Sequence, residues 1–271
     1  MDKPDITIAV VIPSWSGAAQ ATLDSCAAQS WAADEVEVAI GISPNGRARN
    51  VGVRGISADY IVFVDDDAVL GAADTIENLV RPLVEDANIH ITGASKLIPL
   101  DSPWFQRWVA REVPRIEHPV IETPLVTNPD PPLFSTEITT TCCAIRRVDY
   151  ERVGGFDETL VRGVDTEFFV RARRAGLNFV LVPHTWTWHP APKNLYKLWR
   201  KHFLYGMGHA GEVRADATRA EGLQQRPFLY LLFRTVILIP NIFIPFSYNA
   251  RSWRPGFKLL KATTSYVSAL G

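Results

Sequence analysis

With 271 residues, 47% of them hydrophobic and 21% charged, the chain can bury a full core and is too apolar for wholesale disorder. A formal net charge of −1 excludes a global field that would recruit nucleic acid, so any basic surface must be local. Cys26, Cys142 and Cys143 form neither a disulfide framework nor a C-x-x-C zinc pattern. No signal-peptide series precedes the first strand, so the expected compartment is the reducing cytoplasm.

Residues 6–12 are a β-branched apolar run ended by Pro13-Ser14, the pattern of a buried strand. A helix over 18–28 and a second strand over 36–42 follow, and Ser43-Pro44-Asn45-Gly46 ends that strand. A short helix over 47–55 leads to a third apolar run, 60–64, which stops at Asp65-Asp66-Asp67. Strands separated by short helices imply parallel crossovers, and ligands then sit at the carboxyl ends of the strands. Pro13-Ser14-Trp15 and the Asp triplet both fall at such ends.

Residues 97–135 hold eight prolines and read as an irregular stretch, with Trp104, Phe105 and Trp108 at helical spacing inside it. These rings either anchor the stretch to the core or form a platform for a sugar or lipid. A strand is expected over 137–145. Gly154-Gly155-Phe156-Asp157 then turns the chain into a helix over 164–175, closed by Gly176. A last strand, 179–182, precedes Pro183 to His189. The helix expected over 193–205 has one stripe of Leu195, Leu198, Trp199 and His202 and another of Lys193, Lys197, Arg200 and Lys201. Residues 228–247 are strongly apolar but broken by Arg234, Pro240, Asn241 and Pro245, which speaks against an uninterrupted membrane span. Burial, an in-plane membrane contact and a span stay open, and Arg226, Arg251, Arg254, Lys258 and Lys261 could meet anionic headgroups. The expected division is a catalytic domain over 1–212 and an apolar, basic extension over 213–271 that contacts a membrane or a second subunit.

Adjacent carboxylates repel one another, and a divalent cation relieves that repulsion. Magnesium or manganese needs only one or two protein carboxylates when phosphate oxygens complete its shell. The plain alternative is an acidic turn that caps a helix starting near Ala72. In order, Val10-Val11-Ile12-Pro13-Ser14-Trp15, Ala48-Arg49-Asn50-Val51-Gly52, the run from Tyr60 to Asp67, Gly154 to Glu158, and Gly163 to Gly176 resemble the inverting family 2 glycosyltransferases. The resemblance covers about residues 6–210. It implies an α/β GT-A fold with a mostly parallel central sheet flanked by helices, here followed by an apolar helical extension. It also implies transfer of a sugar from a nucleotide-sugar donor to a hydroxyl acceptor, with Mn2+ or Mg2+ as cofactor.

Carried onto this chain, the resemblance makes Asp67 the direct metal ligand, Asp65 its partner toward the ribose or metal, and Asp66 the least engaged of the three. Asp165 becomes the base that takes the acceptor proton, although a carboxylate at a helix start can equally be a cap. Val164 stands where relatives carry a Glu, and Glu167 is a weaker substitute. His189 matches an element that supplies a metal ligand in some relatives; His184 is a lesser candidate. Donor contacts are expected from Pro13, Ser14, Trp15, Arg49 and Asn50. The acidic stretch that usually reads the base is missing, leaving Ser43 and Asn45 to substitute. No Gln-x-x-Arg-Trp motif occurs, and Trp199-Arg200-Lys201-His202-Phe203 stands instead, which favours a single transfer. The acceptor is expected to be lipid-linked or membrane-proximal, and no nucleic-acid partner is expected. A sugar nucleotidyltransferase would need a Gly-rich, basic loop after strand one, which Pro13-Ser14-Trp15-Ser16-Gly17 lacks. A non-catalytic scaffold of the same fold stays open on the shortened base segment and on Val164.

Overall fold

The structure is a computed structural model and describes residues 3–127, 138–215, 222–243 and 258–271. In chain order it forms β1 (Ile8–Ser14), α1 (Gln20–Ala27), β2 (Glu35–Ile40), α2 (Asn45–Arg54), β3 (Tyr60–Val64), β4 (Val69–Leu70) and α3 (Thr75–Glu85). Next come β5 (Ile91–Leu97), α4 (Trp104–Glu112), β6 (Leu125–Thr127), β7 (Cys142–Arg146), α5 (Arg147–Val153), α6 (Val164–Arg174) and β8 (Phe179–Trp188). The chain ends with α7 (Leu195–Ala215), α8 (Pro227–Val236), α9 (Leu238–Phe243) and α10 (Leu259–Leu270).

Two compact units result, one of residues 1–99 and 118–189 and the other of residues 100–117 and 190–271. The first holds the sheet, in the order β2-β1-β3-β7-β5-β8-β4, with β6 also paired to β8. Every residue of β1 is buried, as expected of a strand covered on both faces. One face packs Val11, Phe63, Cys143 and Ile145 against Val53, Tyr150, Phe156 and Phe168 from α2, α5, α6 and the turn between the last two. The other packs Val10, Ile12, Val62 and Cys142 against Cys26 of α1 and Ile76, Leu79 and Leu83 of α3. Cys142 and Cys143 thus fall on opposite faces, as strand alternation requires, and all three cysteines are free and buried.

Four expectations need correction. The sheet is parallel at β2-β1-β3 and at β5-β8, but β7 runs antiparallel to both β3 and β5, so the sheet is mixed. The strand expected over 137–145 begins only at Cys142, because residues 140 and 141 form a turn; position 137 lies outside the described residues. The proline-rich stretch is not irregular throughout: Pro103 starts α4, and β6 follows. Its positions 128–135 lie outside the described residues. Finally, the last strand continues to Trp188, because a register shift between Gly93 and Ser95 absorbs Pro183 and the left-handed His184 (φ 52°).

The second unit pairs α7 with α10 and holds α4, α8 and α9. Asn194 caps α7, its Oδ1 accepting from the Lys197 N–H at 2.9 Å. Glu112 of α4 accepts from Trp108 Nε1 and from the Leu260 N–H, each at 2.7 Å. Trp104 stacks on Trp108 but is itself 69% exposed. No described helix is long and apolar enough to cross a membrane. Positions 244–247 of the apolar stretch, with Arg251 and Arg254, lie outside the described residues.

Candidate active site

β1 and β3 are parallel neighbours, so the loops after Ser14 and Val64 emerge side by side. The three aspartates then part company. Asp65 Oδ1 accepts from Arg49 Nη2 at 2.7 Å, and the Arg49 guanidinium lies 5.5 Å from the Phe156 ring centre. Asp66 Oδ2 accepts from Ser14 Oγ at 2.6 Å, and its carbonyl accepts from Thr22 Oγ1 at 2.9 Å. Burial, reinforced by the charges of Asp67 and Asp65, raises its carboxyl above the ordinary value against the opposing Ser14 hydrogen bond. Asp67 points outward, its side chain 54% exposed, with Oδ1 3.3 Å from Nε2 of His189.

Strand pairing explains that approach. β4 runs antiparallel to β8 with Val69 opposite Trp188 and Leu70 opposite Thr187, so the residues just before β4 meet those just after β8. The His189 N–H is also held by the Leu97 carbonyl at 2.8 Å. Gly71 is required here, since a Cβ would lie 2.2 Å from Trp186 Nε1. The helix following the triplet starts at Thr75 behind Asp74, so the triplet is not its cap.

Ser14 links the two loops. Its Oγ also accepts from the Gly17 N–H at 3.0 Å, which closes the turn that displays Trp15 at 71% exposure. Pro13 and Ser14 are buried, whereas Ser43 and Asn45 are exposed at the approach to α2. Asn50, expected beside the donor, is instead committed to the fold. Its Oδ1 accepts from Tyr150 Oη at 2.5 Å and from the Phe156 N–H at 2.9 Å, while Nδ2 donates to the Phe156 carbonyl and to Glu158. Every hydrogen-bonding position of its amide is therefore used.

Asp165 is the second residue of α6, half-buried, with Oδ1 3.0 Å from the Thr166 N–H. Among the described residues it is the one hydrogen bond to this carboxylate, which leaves the other oxygen for a ligand. Its charge and those of Arg49 and Asp65 all reach the Cys143 thiol, which burial pushes up to about 12. Glu167 is spoken for, because Arg171 binds both of its oxygens at 2.6 and 2.8 Å and also caps the Val153 and Gly155 carbonyls. Arg171 is the turn's clamp, and its one sequence signal was the i,i+4 spacing from Glu167. His184 is exposed, 3.6 Å from Glu122 rather than beside the triplet.

The family model described as "Glycosyltransferase like family 2" matches residues 36–204, more than half of the chain but not β1 or the loop displaying Trp15. Among solved structures, a mannosyltransferase from Pyrobaculum calidifontis, in complex with GDP-Man and Mn2+, is 14% identical with a TM-score of 0.58. The match covers 98% of this chain and 86% of that one. S. aureus TarS 1-349, in complex with UDP-GlcNAc, is 13% identical with a TM-score of 0.50 over 86% and 73% of the two chains. No curated protein matches the chain in sequence. The fold is that of a GT-A enzyme of glycosyl transfer. The chain belongs to the family 2 glycosyltransferases.

Proposed function

We propose that this enzyme transfers a single sugar, with inversion and metal assistance, from a nucleotide-diphosphate donor to a hydroxyl acceptor. The observation that carries the reading is the pairing of Asp67 with His189 at 3.3 Å, at the strand end where Arg49 holds Asp65 and Ser14 holds Asp66. The mannosyltransferase's GDP-Man and Mn2+ and the UDP-GlcNAc of TarS supply the class of donor and cofactor.

The donor set fits a hard divalent cation. No cluster of three His, Cys, Asp or Glu able to hold a metal occurs among the described residues, so a closed all-protein cage is not the arrangement expected. A carboxylate beside an imidazole suits an ion whose shell is completed by diphosphate oxygens. Asp67 and His189 would hold it, and Asp65, steadied by Arg49, would face the ribose or the outer side of the same shell. A bound Mn2+ or Mg2+ supplies Lewis-acid neutralisation of the leaving diphosphate.

The chain's own residues do the rest. Trp15 offers an exposed ring to the nucleobase, with Pro13 and Ser14 shaping the turn beneath it and Ser43 and Asn45 following the neighbouring strand β2. Asp66 acts through Ser14 by tying that turn to the triplet. Asp165 takes the acceptor proton through its second carboxylate oxygen. Attack opposite the leaving diphosphate inverts the anomeric centre, which requires one base and no covalent intermediate. The test is a panel of nucleotide-sugars scored by nucleoside diphosphate release with manganese. Release from one donor class, dependent on Asp67, is expected.

A further inference from the structure

α8 is amphipathic the wrong way round for a helix that faces water. Phe228, Leu229, Leu232, Phe233 and Val236 occupy an arc of about 140° at 100° per residue, and all five are exposed, Phe228 at 89% and Val236 at 67%. Ile239 of α9 continues the patch at 69%. The polar side turns inward. Arg234 packs over Tyr230 and donates to the Ser265 carbonyl of α10 at 2.9 Å. Water-facing helices bury the apolar stripe and expose the charge, so the outer face of α8 is built to meet an apolar phase.

Charge decides which phase. Residues 222–271 contain six Lys or Arg and no Asp or Glu, but Lys258 and Lys261 are buried and Arg234 turns inward, so of these Arg226 is the one described at the surface. Over residues 190–271 the count is twelve basic against three acidic, while residues 1–189 carry sixteen against twenty-six. Arg226, directly before α8, is exposed, as are Lys193, Lys197 and Arg200 around the first turns of α7. A two-fold contact between copies would oppose like charges across the apolar face. An anionic lipid surface satisfies both features, taking the apolar face among its acyl chains and the basic rim among its headgroups. No described helix is long and apolar enough to span.

We propose that α8 and the start of α9 form an in-plane anchor that seats this protein on an anionic bilayer. The inference does not depend on the reading of the active site. The test is flotation of the full chain with vesicles of phosphatidylcholine, alone or mixed with phosphatidylglycerol. Wild-type protein should float with the mixed vesicles and less with the neutral ones, and added salt should weaken binding several-fold. Phe228→Asp with Leu232→Asp, at exposed positions, should reduce flotation about tenfold or more, with unchanged circular dichroism and donor turnover. Lys197→Glu with Arg200→Glu should remove the preference for the anionic lipid while leaving neutral-vesicle binding intact. Absence of flotation on the mixed vesicles would overturn the proposal, as would flotation that the Asp variant does not alter. A dimer in sedimentation equilibrium that dissociates in that variant would overturn it too, assigning the face to a second copy.

Discussion

The two compact units treat the same residue types in opposite ways. In the sheet unit, apolar side chains fill both faces of the sheet, and the acidic groups sit at strand and helix ends where they can meet a ligand. In the helical unit, Lys258 and Lys261 are buried while Phe228, Leu232 and Val236 are exposed. Burial lowers Lys261, with the charges of Lys258 and Arg234 acting in the same direction. Apolar burial drives folding in the first unit, whereas the second leaves much of that driving force available for another phase. Under the proposed function and the proposed anchor, chemistry falls to the sheet unit and placement to the helical unit.

The comparison can be broken first at the sheet unit. Asp165→Asn should lower transfer by about 10²- to 10⁴-fold, the usual worth of a general base, while donor affinity changes little. A matching loss of donor affinity in titration calorimetry would make Asp165 a structural cap instead.

Next in size is Arg49→Met. It leaves Asp65 without its partner in a half-buried place and should cost about 3 kcal/mol of stability. Adding Asp65→Asn should restore part of that loss in a double-mutant cycle followed by urea unfolding. Strict additivity of the two would show that the 2.7 Å pair carries no coupling.

A pH-dependent effect, at most equal to that of Arg49→Met, sharpens the difference between the units. Burial, with the nearby Lys201 charge, lowers His202 of α7 from 6.5 to about 4. The unfolded chain binds this proton first, so acidification from about pH 6.5 to 4 should remove up to about 3 kcal/mol from the helical unit, with no further loss from this group below that. In the sheet unit, Asp34 and Asp157 are lowered by hydrogen bonds from Lys3 and Thr159. Their contribution is present above the ordinary carboxylate range and fades only as pH falls through their depressed values, so the helical unit should weaken first. His202→Gln should flatten its profile in unfolding curves taken across that range.

Much of the sheet unit was legible because its signals are local. A β-branched run ending in Pro13-Ser14 and another ending in the triplet mark β1 and β3, and Gly154-Gly155 before an acidic helix start marks α6. What escaped was long-range. The reversed direction of β7, the bulge carrying β8 past Pro183, and the full use of Asn50 by a turn about 100 residues away depend on partners with no trace in nearby sequence. The pairing of Asp67 with His189 rests on the β4–β8 register, and only the resemblance pointed to it. In the helical unit, apolar spacing revealed α7, whereas residues 228–247 read only as a broken apolar stretch, because the partner packed on α8 decides which face turns outward.

The most direct test of the central claim is nucleoside diphosphate release from the donor panel by wild-type protein and by Asp67→Ala, each with manganese and with chelator. Wild-type protein should release the diphosphate of one donor class only with metal, and Asp67→Ala should lose about 10³-fold or more of that turnover. Turnover that survives both the substitution and chelation would contradict the account.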